Sequence, residues 1–312
     1  MVAVSEETTV DYELTARIAT EAFAQSSVHF SPERIKWLYE RSFGRGTSVL
    51  AATDDTRKIG QVAMIGQTMC VNGEVCASIQ LVDLFILQAY RSGQLVRRLY
   101  KEVERLCTER NIRFILALPN DKSVMLNARF LKLGPALSLP IRAGVSLRRP
   151  HVSRLRHSGL LTSLSKQQAI ELLSEFTCSA SQNGLSWDGN GLFDRLSDPT
   201  RDYAAHATDD VLLISSWRKS AGIGYTALCA FFTRPHATVS PSKVSNLVAV
   251  ACRFWKNPLF VYAGANSALP KLPGIPLPAK LRRPILVQLR DIRSDTQDLQ
   301  FDRFQLIDSD FA

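Results

Sequence analysis

The chain has 312 residues, 46% of them hydrophobic and 21% charged, with a net charge of +9. That length suits two domains of ordinary size, and that composition excludes wholesale disorder. No run of about 18 apolar residues occurs, so no transmembrane helix and no membrane insertion are expected, and the opening MVAVSEETTVDYEL lacks the basic and apolar regions of a secretory signal.

The six cysteines (Cys70, Cys76, Cys107, Cys178, Cys229 and Cys252) are scattered, with no CxxC pair and no Cys/His cluster. Neither a metal site nor a disulfide framework is expected, and a reduced, cytoplasmic setting fits. Cys107 reads as a core residue of a helix. His29, His206 and His236 stand alone, with no spacing for a metal or a triad. Positive charge is spread over both halves, with one dense run at Arg148, Arg149, Arg154 and Arg156 that includes His151 and His157. A basic chain attracts anions, but this run reads as a solvated linker.

In chain order, residues 11–25 carry apolar side chains at helical spacing, from Leu14 through Ile18 to Ala22. Ser31-Pro32-Glu33 predicts a helix start, with Ser31 as cap and Pro32 in the first turn. A strand follows over 48–53, a turn at Asp54-Asp55 and a second strand over 58–68. Asn72-Gly73 is a two-residue hairpin signal before a third strand. Residues 78–87 (SIQLVDLFIL) predict a strand buried on both faces, with Asp83 as its interior acid. Leu95, Leu99, Val103 and Leu106 give the next helix, 114–118 a buried strand, and 121–133 a helix ending at Gly134. After the basic run, a helix is expected over 166–176, strands over 210–216 and 224–232, a helix over 244–255 and a strand over 259–263. The proline-rich stretch 270–284 reads as an extended connection, and 285–289 as a last strand. The segments FILALPN (114–120) and FVYAGAN (260–266) stand 146 residues apart. The same offset sets 83–86 on 229–232, which raises a tandem duplication as one reading and chance likeness of two buried strands as the other.

The stretch DLFILQAYRSGQLVRR (83–98) resembles the central strand, loop and helix start of the GNAT N-acetyltransferase superfamily. LPNDKSVMLNARFLKLG (118–134) is similar to that family's second signature, and Phe304-Gln305-Leu306 before Asp308 and Asp310 is similar to the tail of some two-domain members. The resemblance implies an α/β fold of two tandem GNAT-like domains, each a mixed sheet flanked by helices. They are expected at 1–147 (acyl-CoA-binding) and 166–312 (a degenerate copy), joined by a basic linker at 148–165. It implies acetyl-CoA or another acyl-CoA as co-substrate. The pantetheine arm would lie along Leu84, Phe85, Ile86 and Leu87, and the pyrophosphate would meet the loop Arg91, Ser92, Gly93, Gln94, Leu95 and Val96 at a helix N-terminus.

This sequence departs from the family pattern in two places. Gln94 and Val96 stand where the family loop has a glycine and a small residue, and Phe130 stands where a tyrosine general acid is usual. The second copy's matching loop, Ala237–Ser242, has no glycine, and no cofactor is expected there. Asp83 reads either as a general base with a raised pKa or as a structural carboxylate. Asn120 reads either as an orienting group for the acceptor or cofactor or as a turn residue. Tyr90 and Arg91 read as loop supports, Arg91 beside the cofactor. The implied activity is acyl transfer to an amine or hydroxyl acceptor whose identity the motifs do not specify. A non-catalytic acyl-CoA-binding scaffold and an aminoacyl-tRNA-dependent peptidyl transferase are the alternatives. Nucleic acid is not expected as a partner, and a homodimer is compatible with the sequence.

Overall fold

The computed structural model describes residues 1–24, 30–152, 155–177, 182–294 and 299–310. His29, Arg154 and Cys178 lie outside them. The chain divides into two compact units, each discontinuous in sequence. The first comprises Met1–Met69, Cys76–Ala136 and Leu286–Asp298; the second comprises Cys70–Val75, Leu137–Ile285 and Leu299–Ala312. Both are mixed α/β.

In the first unit, β1 (Val2–Glu6) pairs antiparallel with β2 (Thr47–Asp54), and β2 with β3 (Arg57–Val71). Between them in sequence come α1 (Tyr12–Ala22), capped by Asp11, and α2 (Pro32–Glu40), capped by Ser31 with Pro32 in its first turn. Asn72 and Gly73, both at positive φ (51° and 83°), make the hairpin into β4 (Glu74–Ile86), the geometry that favours Asn-Gly. α3 (Gly93–Glu109) follows, with Leu99 and Val103 at 0% exposure. Each such leucine or valine contributes about 1.5–3 kcal/mol by burial. β5 (Phe114–Ala117) runs parallel to β4, and α4 (Asp121–Leu131) leads to β6 (Gly134–Leu139).

The sequence places the segment after 285 in the C-terminal domain, but residues 286–298 belong to the first unit. Strand β15 (Ile285–Asp291) pairs antiparallel with β5, Gln288 opposite Ala117 and Asp291 opposite Phe114. A buried polar chain fixes it there. Tyr100 donates to Asn127 (2.6 Å), Asn127 donates to Gln288 (3.0 Å), and the Gln288 amide donates to the Val124 carbonyl (3.3 Å). Arg113 and Asp291 add an ion pair at 3.1 Å.

The second unit repeats the plan. β7 (Ile141–Val145) pairs antiparallel with β13 (Leu259–Asn266), as β15 does with β5, so each unit takes one strand from the other half of the sequence. β8 (His157–Leu160) lies in the stretch expected to be linker. It pairs with β10 (Ala204–Ala207), which continues into β11 (Val211–Ser220) and β12 (Ile223–Thr233). Helices α5 (Lys166–Thr177) and α6 (Gly189–Arg195) precede β10, with the short β9 (Gly184–Leu185) between them. α7 (Pro241–Phe254) connects β12 to β13. The short β14 (Ile275–Pro276) pairs with β7, and β16 (Arg303–Gln305) pairs with the end of β13. The core of this unit joins α7 (Val244, Leu247, Val248, Ala251) to Leu228, Phe260 and Tyr262.

Each unit holds a parallel strand pair at the expected place, with a correction to the expected register. In the first unit Ser78 lies opposite Phe114; in the second Thr226 lies opposite Phe260. The second strands of each pair are 146 residues apart as expected, but the first strands are 148 apart. By register, Asp83 corresponds to Phe231, not to Cys229.

His206 of β10 is fully buried. Its ring bridges the Ser158 and Ser215 hydroxyls at 2.8 and 2.9 Å and packs edge-on against Phe254. Burial pushes its pKa down to about 3, helped by His157. The folded state holds this ring neutral while the unfolded chain protonates it near the ordinary value of about 6.5. Its contribution is therefore complete above pH ~6.5 and is lost as pH falls toward 3, with a limiting slope of roughly 1.4 kcal/mol per pH unit. Urea midpoints measured at pH 7.5 and 5.0 should fall in the parent and fall less in His206→Gln; an equal fall in both would refute this assignment.

Candidate active site and cofactor cleft

The recorded parallel register of β4 and β5 runs from Ser78–Phe114 to Leu81–Ala117. Beyond it β4 continues through Val82–Ile86, while the other chain turns at Pro119 into α4. Backbone N–H and C=O groups on a strand that has lost its neighbour must find other partners. Asp83 sits at this divergence with φ +50°, and it is the one non-glycine residue in a strand interior at positive φ among the described residues.

The Tyr39 hydroxyl donates to the Asp83 carboxylate at 2.7 Å, and the Gln61 amide donates to the Tyr39 oxygen at 2.8 Å. Tyr39 (3% exposed) and Gln61 (0%) are buried, and Asp83 is half-buried as a residue. Desolvation raises the Asp83 pKa above the usual carboxylate range, opposed by the Tyr39 hydrogen bond and the Arg34 charge. Desolvation, then the Asp83 charge, holds the Tyr39 phenol well above its ordinary value. The Asp83 carboxylate is thus held by a tyrosine hydroxyl. Tyr39 on α2 and Gln61 on β3 carried no sequence signal, because neither lies in a motif and only the fold brings them to Asp83.

After β4 the chain makes a 3-10 turn over Gln88–Tyr90 and enters α3, with Ser92 as cap. The Ser92 hydroxyl accepts from the Leu95 amide (3.2 Å), and the Ser92 carbonyl accepts from Val96 (3.3 Å). The remaining first-turn donors are the amides of Gly93 and Gln94, both on exposed residues. A Cβ at Gly93 would meet nothing within 4 Å, so space stands open over this helix end. Arg91 is turned inward: its guanidinium donates to the Ile86 and Ala22 carbonyls, bracing the loop between β4 and α1. Tyr90 donates to Asp54 at 3.1 Å. Leu84 is partly buried against the first-unit core, and Phe85, Ile86, Leu87, Leu95 and Val96 are buried within it.

Asn120 caps α4, its oxygen accepting from the Lys122 and Ser123 amides at 3.0 Å each. It is the turn reading of this residue that the geometry matches. Phe130 packs on the first-unit core, with the Arg129 guanidinium 5.3 Å over its ring. Cys107 is buried at 0% exposure, and burial raises its thiol pKa to about 12, which makes it a poor nucleophile.

The equivalent parting of the second unit is bridged by a side chain of its own tail. Parallel pairing of β12 with β13 is recorded from Thr226 to Leu228. Three residues on, the Phe231 amide donates to the Gln305 side-chain oxygen (2.8 Å), and the Gln305 side-chain nitrogen donates to the Phe231 carbonyl (3.0 Å). Asn266 also donates to that carbonyl (3.0 Å), and Tyr262 donates to Gln305 (3.2 Å). Gln305 is held in turn by Asp308, which accepts from the Gln305 amide and from the Trp187 indole at 2.7 Å each. The buried Arg195 donates to the Ile307 and Ser309 carbonyls. At the N-terminus of α7, Pro241 removes one amide donor and Ser240 caps Lys243.

Comparison by sequence finds no matching family model and no matching curated protein. Comparison by structure finds the fold. A probable N-acyltransferase of Enterococcus faecalis superposes with a TM-score of 0.64 at 12% identity, over 94% of this chain and 73% of that one. Saccharomyces cerevisiae N-myristoyltransferase with bound myristoyl-CoA superposes with 0.60 at 12%, over 99% and 84%. A tandem GNAT protein from the clavulanic acid biosynthesis pathway superposes with 0.55 at 10%, over 93% and 98%. The chain has the tandem GNAT fold.

The Tyr39 hydrogen bond lowers the Asp83 pKa against the pull of desolvation. In Tyr39→Phe the Asp83 carboxyl pKa should therefore rise further, as read by carbon-13 carboxyl titration. A value unchanged from the parent would show that Tyr39 does not govern the charge at Asp83.

Proposed function

We propose that the first unit binds an acyl-CoA thioester and transfers its acyl group to an amine acceptor, with Asp83 as the general base. The observation that carries this reading is the β4–α3 cleft itself: a strand that outruns its parallel partner leads into a helix whose cap leaves the Gly93 and Gln94 amides for an anion. Those donors and the α3 dipole suit a pyrophosphate, and the β4 edge from Leu84 to Leu87 suits a pantetheine amide. The residues present fit the group, and the solved myristoyl-CoA complex of a structure with the same fold is consistent with it. When bound, the thioester supplies an activated acyl carbonyl. Within this chain, Arg91 holds the loop in shape, Ser92 starts the helix, and the Gln61–Tyr39 relay orients Asp83.

A carboxylate raised by desolvation is a better proton acceptor than an ordinary one, for the proton of an ammonium group directly or through a bridging water. No tyrosine acid at position 130 is needed, because a thiolate leaves as a weak base. The bridged parting at Gln305 supports assigning the cofactor to the first unit alone.

Isothermal titration with acetyl-CoA, longer acyl-CoAs and free coenzyme A tests binding. Gln94→Glu places a carboxylate at the first turn of α3 without disturbing the helix, and it should weaken affinity about tenfold. An unchanged affinity would move the pyrophosphate elsewhere, and no binding by any of the three ligands would end the acyl-CoA reading. In turnover assays with an amine panel, Asp83→Asn should cost about 10²–10⁴-fold. The rate in the parent should rise with pH through a value above the usual carboxylate range and lose that limb in the variant. Full activity in Asp83→Asn would exclude Asp83 as base.

A further inference from the structure

The basic run begins as a strap laid along α7 of the second unit. At one end the Ser146 amide donates to the Pro258 carbonyl at 2.8 Å. At the other the His151 amide donates to the Asn246 side-chain oxygen (2.7 Å), and the Asn246 side-chain nitrogen donates to the His151 carbonyl (3.1 Å). Asn246 lies within α7 and Pro258 just beyond its end. The segment between these anchors is therefore held against the helix rather than loose in solvent.

Strap and helix border a cleft of about 290 Å³. Ala249, Cys252 and Arg253 line it from one face of α7, the face that Asn246 continues. Ala249 and Cys252 are small and buried, which leaves room above them. Lys256 lines the cleft just past the helix end, and Arg148 and Arg149 line it from the strap. Among the described residues, no carboxylate lines the cleft, and none of these four cationic side chains has a hydrogen-bond or ion-pair partner. The dipole of α7 favours cations at its C-terminus, which accounts for Arg253 and Lys256. It does not account for two further arginines held over them by the strap. Like charges gathered in this way repel one another and attract anions.

The same stretch leaves aliphatic side chains in water. Leu147 is 84% exposed, and Val145 and Val152 are 62% exposed each. Single exposed aliphatics are ordinary, but here three flank unpaired arginines within eight residues of chain. A nucleic acid or a soluble anion would use the cations and gain nothing from the aliphatic tips. A bilayer interface uses both, with headgroup anions for the cations and the acyl boundary for the tips. We propose that the strap and α7 dock this chain peripherally on an anionic lipid surface. A headgroup phosphate enters the cleft among Arg148, Arg149, Arg253 and Lys256, while Leu147 and its valine neighbours reach the interface. The site belongs to the second unit and stands independently of acyl-CoA binding by the first.

Co-sedimentation of the full chain with vesicles tests it, using pure phosphatidylcholine beside equal parts phosphatidylcholine and phosphatidylserine. The chain should pellet with the anionic vesicles alone, and added salt should release it. The exposed pair Arg148→Glu/Arg149→Glu should weaken partitioning by about tenfold or more, and Leu147→Ser by about tenfold. Reversal of the exposed Lys36 and Lys101 of the first unit makes the same change in net charge and should leave most of the binding. Thermal melting of each variant confirms that it folds. The proposal is overturned if anionic vesicles do not bind, if neutral vesicles bind as well, or if the folded arginine variant keeps the parent's affinity. An equal loss in the lysine control would also overturn it, by reducing the effect to net charge. Unchanged binding in Leu147→Ser would do the same, leaving a cleft for a soluble anion or a nucleic acid.

Discussion

Two parallel strands that part company leave backbone amides without neighbours, and the rest of this molecule is arranged around what meets them. A buried, unpaired peptide group costs about as much as a lost hydrogen bond. The second unit answers with its own chain. Gln305 carries a primary amide, whose NH2 donates and whose oxygen accepts, and it meets the N–H and C=O of Phe231 as another strand would. Asn266, Tyr262, Asp308, Trp187 and Arg195 then hold that amide and its segment in place. The pairing works because the tail passes close enough for a side chain of glutamine length. In the first unit the same parting has an acid at positive φ, with the exposed residues Gly93 and Gln94 opening the helix just beyond.

Most of the framework was legible in the sequence because it rests on local rules. Ser31-Pro32 and Asn72-Gly73 set boundaries by capping and by turn geometry. Leu95, Leu99, Val103 and Leu106 declared α3 by period alone. What was hidden depends on distant pairing. β8, inside the basic stretch, is a strand only because β10 accepts it. β1 shows alternating burial but is short and edge-placed. α6, a seven-residue helix rich in glycine, offers little periodicity to read. The exchange of β7 and β15 cannot be read from either segment, because each strand would satisfy local propensity equally well in either unit. The two-residue slip between the copies was hidden for a related reason: FILALPN and FVYAGAN align without gaps, whereas the strands before them differ in register.

The candidate site was legible in half. Asp83 and the loop from Arg91 to Val96 stood inside a recognisable stretch, but their individual duties needed geometry. Arg91 read as a loop support beside the cofactor; its guanidinium bonds two carbonyls, one at the end of β4 and one at the end of α1, which only the fold brings within its reach. Asn120 looked able to orient a ligand because it seemed to end a strand; β5 ends at Ala117, and Asn120 instead starts a helix, where capping takes its oxygen.

Asp83 concentrates three costs at one residue. Its backbone is left-handed inside a strand, which an L-residue resists, though aspartate resists less than most. Its carboxylate is desolvated, which opposes ionisation. It also draws a buried tyrosine and a buried glutamine into a polar chain where apolar packing would otherwise serve. Strain of this kind amounts to about 1–3 kcal/mol and persists only where the surroundings fix it. A purely structural carboxylate has no need of it: in the second unit the residue in register is Phe231, an apolar side chain on a strand whose parting is closed by an amide. The two copies thus hold the same backbone problem with opposite side-chain chemistry. Acid and strain coincide in the copy whose parting carries Asp83, and an apolar side chain with an amide bridge stands at the matching place in the other.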